Sequence, residues 1–279
     1  MRYIIFICII AISISSCYRE IDSLVPHSKA FASLLTTDTP ISWNSIELVC
    51  DQHADPNDSN TFYTLTGIYR DSTTHAPMTM GNIAITSPWK SGTITQTLTP
   101  SSGHTYQLDY DSSGVGLALL YAEAGRMPGA ILKIKATGTS AADTVTQSIY
   151  CPKLILTHTS DFPSGQFSRL SSLTLKWVTD ASNASGDVLI KVWYEPILSR
   201  ALSDSTLPST DTALTYVVAD NLGTYTISSS DLQLLHVNSL VHITIGRGTE
   251  AINYLPLSGT KVYFFTSTSA STKLLTLTN

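Results

Sequence analysis

The chain has 279 residues, 16 Lys+Arg against 21 Asp+Glu, and a net charge of −5. That balance argues against a nucleic-acid partner, which normally leaves a surplus of Lys and Arg on one face. Charged residues are 13% of the chain, about half the usual ~25%. Ser and Thr, 37 of each, take their place. Such a surface favours strands, because the branched Cβ of Thr packs well on a pleat.

Residues 1–16 read as a secretory leader. Arg2 precedes an apolar run over 4–14, and Ile14-Ser15-Ser16-Cys17 closes it with small residues. As a helix, that run reaches only about 16 Å, short of the ~30 Å hydrocarbon core. A cleaved leader is therefore expected rather than a spanning helix. The last four residues resemble a bacterial lipobox. The resemblance implies cleavage before Cys17, lipidation of Cys17 and an outer-membrane lipoprotein held by several acyl chains, facing the periplasm or the exterior. Such a mature chain keeps 15 basic against 21 acidic residues, a net of −6.

Residues 17–43 hold the lipidated cysteine and a tether. No strand alternation is visible over 18–40, where Pro26, Thr36, Thr37, Asp38 and Pro40 stand. From 44 the chain breaks into short runs separated by turn residues, with strands expected at 45–51, 61–70, 80–86, 93–99, 104–110, 115–121, 130–136 and 143–151. Residues 44–152 form a first β-sandwich. Of four cysteines, Cys8 leaves with the leader and Cys17 takes the lipid, so Cys50 and Cys151 are left as a pair in an oxidising compartment. A disulfide between them is the favoured expectation. It would close a loop of roughly 100 residues and contribute up to ~4.7 kcal/mol. The alternative is two buried free thiols too far apart to join.

A second sandwich is expected over 153–279, with strands at 153–158, 171–178, 187–195, 213–219, 223–228, 239–246, 260–266 and 272–278. A helical turn is expected at 231–235, with Ser230 as cap and Gln233 completing the box. Arg247, between two glycines, reads as a turn residue. Ser172-Leu-Thr-Leu-Lys-Trp177 and Val188-Leu-Ile-Lys-Val-Trp-Tyr194 alternate with period two. They resemble strands B and C of a fibronectin type III or immunoglobulin-like module. The resemblance places Trp177 between the sheets. It departs from the module where Leu240-Val241-His242 replaces an expected Tyr. The fold class is therefore all-β: two tandem immunoglobulin-like antiparallel sandwiches after a signal peptide and tether.

Lipobox, tether and Thr-rich sandwiches together resemble the surface lipoproteins of Bacteroidota. The triplets beginning at Asp22, Asp71, Asp143, Asp204 and Asp211 resemble that group's O-glycosylation acceptor. Asp-Ser and Asp-Thr are also ordinary turn residues.

Catalytic signals are poor. The chain has neither a Gly-x-Ser-x-Gly elbow nor a His-Glu-x-x-His helix. The closest histidines, His236 and His242, are six apart. An enzyme is not expected, and no cofactor is implied. The best metal candidate is calcium at Asp109, Asp111 and Ser113, alternate oxygen-bearing positions before Gly114. Leu120 stands where a closing Glu belongs, and a plain hairpin explains the segment equally well. Trp89 lies in a loop-like stretch, and Trp193 shares a strand face with Lys191 and Glu195. Exposed aromatic rings beside polar groups are how many sandwiches hold sugars; packing at an edge is the alternative. The expected function is a lipid-anchored cell-envelope protein with a non-catalytic adhesion, binding or structural role. Its partner is an envelope protein or a glycan. A glycan-binding accessory lipoprotein for polysaccharide capture is the second reading, and an exported hydrolase a distant third.

Overall fold

Period-two alternation sets the strands. In Ile131–Thr137, Leu132, Ile134 and Ala136 point inward while Ile131, Lys133 and Lys135 face water. A computed structural model describes residues 44–53, 61–70, 74, 76–89, 92–100, 105–110, 127–155, 163, 165–183, 186–203, 205–210, 212–272 and 274–279. The strands are β1 (Asn44–His53), β2 (Thr61–Arg70), β3 (Pro77–Met78), β4 (Ile83–Trp89), β5 (Gly92–Leu98), β6 (Thr105–Tyr110), β7 (Ile131–Thr137) and β8 (Thr144–Tyr150). They continue as β9 (Gln166–Ser168), β10 (Leu173–Lys176), β11 (Asp187–Tyr194), β12 (Ala213–Ala219), β13 (Thr224–Ile227), β14 (Leu240–Tyr254), β15 (Lys261–Ser271) and β16 (Leu275–Thr278). Two short helices, α1 (Pro196–Leu202) and α2 (Ser229–Leu232), and a 3-10 turn at Asp220–Leu222 complete the described elements. No helix among them is long and apolar enough to cross a membrane.

The chain is all-β. One large sheet runs β12-β11-β14-β15-β1-β2-β3, with β6 joined to β2 and β16 to β14 and β9. A four-stranded sheet runs β5-β4-β7-β8, and β10 pairs with β13. Most pairings are antiparallel, as expected. Two are not: β1 pairs with β15 in parallel, and β16 with β9. Parallel pairing needs a long crossover, and here more than two hundred residues separate β1 from β15.

Two cores result. The first gathers Tyr69, Ile83, Ile85, Leu98, Leu132 and Ile134 with Val262 and Phe264. The second gathers Leu175, Trp177, Ile190, Val192, Ile243 and Ile245. Each large apolar side chain removed from water contributes roughly 1.5–3 kcal/mol. Residues of the β14–β15 hairpin lie in both cores, since Val262 and Phe264 serve the first, and Ile243, Ile245 and Ala270 the second. This sharing accounts for the length of the two strands, which run well past the 239–246 and 260–266 expected from sequence.

The strand expected over 153–158 does not form in its described part, 153–155. Pro152 lacks an N–H for a ladder. The carbonyls of this segment are taken instead by side chains. Tyr150 O accepts from the hydroxyls of Thr249 and Thr266. Lys153 O accepts from Thr268 Oγ1 at 2.9 Å and from Arg247. The helical turn forms two residues earlier than expected. Ser228, not Ser230, is its cap and accepts from Asp231 N at 3.1 Å. The strand expected at 115–121 lies outside the described residues.

The bridge expected between Cys50 and Cys151 is not present. Cys151 is a free, fully buried thiol. Its N–H donates to Ala130 O at 2.9 Å, and its side chain belongs to the first apolar core. Cys50 is a mid-strand residue of β1, in register with Tyr63 on one side and Thr268 on the other.

Candidate binding face

Strand β11 turns Val188, Ile190, Val192 and Tyr194 into the second core. Lys191 and Trp193 therefore stand on its opposite face. Register carries that face across neighbouring strands. Trp193 lies opposite His242 of β14 and Ala213 of β12, and Lys191 lies opposite Thr244 and Thr215. The Trp193 and His242 rings are 5.7 Å apart and tilted by 39°. Lys191 Nζ sits over the indole, 5.0 Å from its centroid, close enough for a cation–π attraction. His242 Nδ1 lies 3.2 Å from Thr272 O, and a carbonyl only accepts, so the proton is on Nδ1. Thr244 and Ser271 share a hydroxyl bond of 3.0 Å beside it.

All three of Lys191, Trp193 and His242 are half-buried. Trp193 Nε1 is buried with no hydrogen-bond partner, an arrangement that ordinarily costs free energy. Alongside, Thr215 and Val217 of the edge strand are exposed. The face thus combines a flat ring, a cation, an imidazole and hydroxyls. The Lys191 ammonium lies over the indole, and the His242 imidazole stands beside it. Glu195, expected on this face, is instead the buried N-terminal boundary residue of α1, because Pro196 starts a helix there.

Of the other sequence candidates, Trp89 and Asp109 have a described backbone. Trp89 ends β4 opposite Gly92, so the stretch expected to be a loop is a hairpin strand up to that residue. Asp109 lies within β6, in the strand expected at 104–110, in register with Thr64. Asp111, Ser113 and Cys17 lie outside the described residues. Among the described residues no group of three or more His, Cys, Asp or Glu is placed to hold a metal.

Arg247 is not a turn residue. It sits inside β14, buried, and its guanidinium donates to Asp220, Val178 O, Lys153 O and Leu154 O. Asp220 also accepts from Trp177 Nε1 at 3.0 Å and Asn183 Nδ2 at 3.2 Å. Asp180 accepts from Tyr150 Oη and from Lys153 N at 2.8 Å. Trp177 is in the core, as the module resemblance implied. This network spends its polar groups on one another and on backbone, so it fastens the segment after β8 to the second core. The sequence signal for it was faint: a lone Arg between glycines reads equally well as a turn.

No family model matches the chain, and no curated protein matches it. Among solved structures it is similar to the crystal structure of chicken CNTN1 FN1-FN3 domains. The identity is 11%, over 80% of this chain and 67% of that one, with a TM-score of 0.23. So loose an overlap assigns neither family nor activity.

Proposed function

We propose that the protein is a lipid-anchored component of the cell envelope with a non-catalytic role in adhesion, binding or structure. The observation that carries this reading is Ile14-Ser15-Ser16-Cys17 after a short apolar run. An all-β body behind a tether is a body suited to making contacts, since sandwich faces and end loops are accessible. The finer identity we infer is a surface lipoprotein of the Bacteroidota type, carrying immunoglobulin-like or fibronectin type III-like sandwiches. Membrane fractionation tests the anchor. The intact chain should sediment with membranes and Cys17→Ala should become soluble. Unchanged association of the variant would count against it.

A second reading is favoured by one observation, the Trp193 ring beside Lys191 and His242 on an outer strand face. In that reading the protein captures polysaccharide, the ring packing on sugar C–H groups. A glycan-array screen, with and without Ca²⁺, tests it. Binding that is lost in Trp193→Ala or Trp89→Ala supports capture. Dependence on Ca²⁺ that disappears in Asp109→Asn would bring the Asp109, Asp111 and Ser113 segment into the site. Absence of any glycan binding moves the weight to a protein partner.

A further inference from the structure

We infer that the turn between β14 and β15, with the end of β14 that leads into it, rests on the lipid surface that holds the anchor. The inference depends on the anchored reading above. Where the chain enters the folded body decides which end faces the lipid. Asn44 opens β1 in register with Val262, and β1 runs parallel to β15. Val262 is next to Lys261, whose partner across the hairpin is Tyr254. Residues 18–43 therefore join the body at the end where the β14–β15 turn lies. A tether of that length, treated as a random coil, spans only about 25–30 Å. Even a weak contact at this end is then held near the surface at high effective concentration.

This end carries exposed apolar side chains. Ile252, Tyr254 and Leu257 are 44%, 56% and 68% exposed. Ile252 and Tyr254 leave β14 on one face, because period two separates them. Their partners across the ladder are Tyr263 and Lys261. Lys261 Nζ lies 4.6 Å from the centre of the Tyr263 ring. Tyrosine rings and lysine stems suit the boundary between headgroups and acyl chains, since each pairs an apolar body with a tip that stays in water. Charge agrees with this placement. The chain carries a net −5, yet no acidic residue stands from Ala251 to Asn279. Asp143, from the adjoining β7–β8 turn, is buried, and its Oδ1 accepts from Leu257 N and Ser258 N.

The turn is built before any contact. Leu255 N donates to Thr260 O and Gly259 N to Leu255 O, both at 2.9 Å. Gly259 has φ of 68°, the left-handed region that glycine adopts without strain. Leu255 is buried in the first core, whereas Leu257, two residues on, is left in solvent. A loop already held in shape loses little freedom when it binds. Single exposed leucines are common on any surface. Leu234, before the start of β14, is 65% exposed, and β14 places it roughly 45 Å from Tyr254. What sets Leu257 apart is that the tether enters beside it.

Photo-cross-linking of the intact chain, purified from membranes and reconstituted in phosphatidylcholine vesicles, tests this. Benzoylphenylalanine takes the place of Leu257, or of Leu234 as the control at the far end. Vesicles are floated and illuminated, and the peptides are read by mass. The peptide holding position 257 should gain one phospholipid, and the peptide holding position 234 none. The double variant Ile252→Glu with Tyr254→Glu should lose the gain at 257 while its circular dichroism spectrum is unchanged. Lipid gained as readily at 234 as at 257, or a gain at 257 that persists in the double variant, would mean proximity through the tether alone and overturns the inference. A chain that floats with the vesicles but gains no lipid at 257 overturns it and leaves the anchored reading standing. A chain that does not float overturns the anchored reading and this inference with it.

Discussion

Arg247 Nη1 donates to both carboxylate oxygens of Asp220, at 3.0 and 2.9 Å, and both side chains are buried. The pair joins the middle of β14 to the 3-10 turn after β12. Breaking one partner of such a pair strands the other charge away from water, which costs about 3–5 kcal/mol. Arg247→Met should therefore destabilise by about that amount, since it also removes the guanidinium donors from the carbonyls of Leu154 and Val178 and leaves Lys153 O to Thr268 Oγ1 alone. Guanidinium unfolding of the variant beside the natural chain measures it. A loss below ~1 kcal/mol would contradict the fastening role, because that is the scale of an exposed pair.

The same network gives a pH signature at both ends. Burial pushes the Asp180 carboxyl up, but donors from Lys153 N, Ser182 N and the Tyr150 hydroxyl, with the Arg247 charge, outweigh it and hold it below its ordinary value. A depressed carboxylate adds stability above its unfolded pKa of ~3.9. That part is lost as pH falls through the lower folded value. Burial, then the Asp180 contact, push the Tyr150 hydroxyl up to about 12. A raised acid adds stability that is complete below its unfolded pKa of ~10. That part is lost as pH rises from there to about 12. Thermal melts across pH should show both declines, and Tyr150→Phe should remove Tyr150's share of the alkaline one. An alkaline decline unaltered in the variant would contradict the assignment.

Cys151 should behave as a buried free thiol. Alkylation without reductant should leave it untouched in the folded chain and label it after unfolding. Intact mass with and without denaturant reads the outcome. Labelling of Cys151 that requires reductant even in denaturant would restore the bridge to Cys50.

Gly138 should not tolerate a side chain. A Cβ there would lie 2.4 Å from Asp143 Oδ2 and 3.0 Å from Asp143 O. Asp143 is itself committed, since its Oδ1 accepts from Leu257 N at 2.8 Å and Ser258 N at 3.2 Å, tying the β7–β8 turn to the β14–β15 turn. Gly138→Ala is expected to cost ~1–3 kcal/mol, the range of an overpacked site. A melting temperature equal to that of the natural chain would show that the turn gives way freely.

Local alternation made most strands legible. The stretches at 61–70 and 213–219 form as read, and 187–194 differs by one residue from its expected end. Long-range pairing was not legible. Nothing in Asn44–His53 announces a parallel partner more than two hundred residues away, because register depends on what the rest of the sheet buries. Arg247 was misread for a related reason: its partners come from segments around 153, 178 and 220, which spacing cannot bring together. Helix α1 was missed because its seven residues carry too little periodicity to outweigh the strand before them. Of the binding face, Lys191 and Trp193 were legible from period two, whereas His242 joined them only through the β11–β14 register.

The anchored-envelope reading rests on one residue, so the most direct measurement is the mass of the N-terminal peptide from protein purified out of membranes. The account predicts a peptide that begins at Cys17 and carries several acyl chains. A peptide that retains Met1, or one that begins at or after residue 17 without lipid, would contradict it.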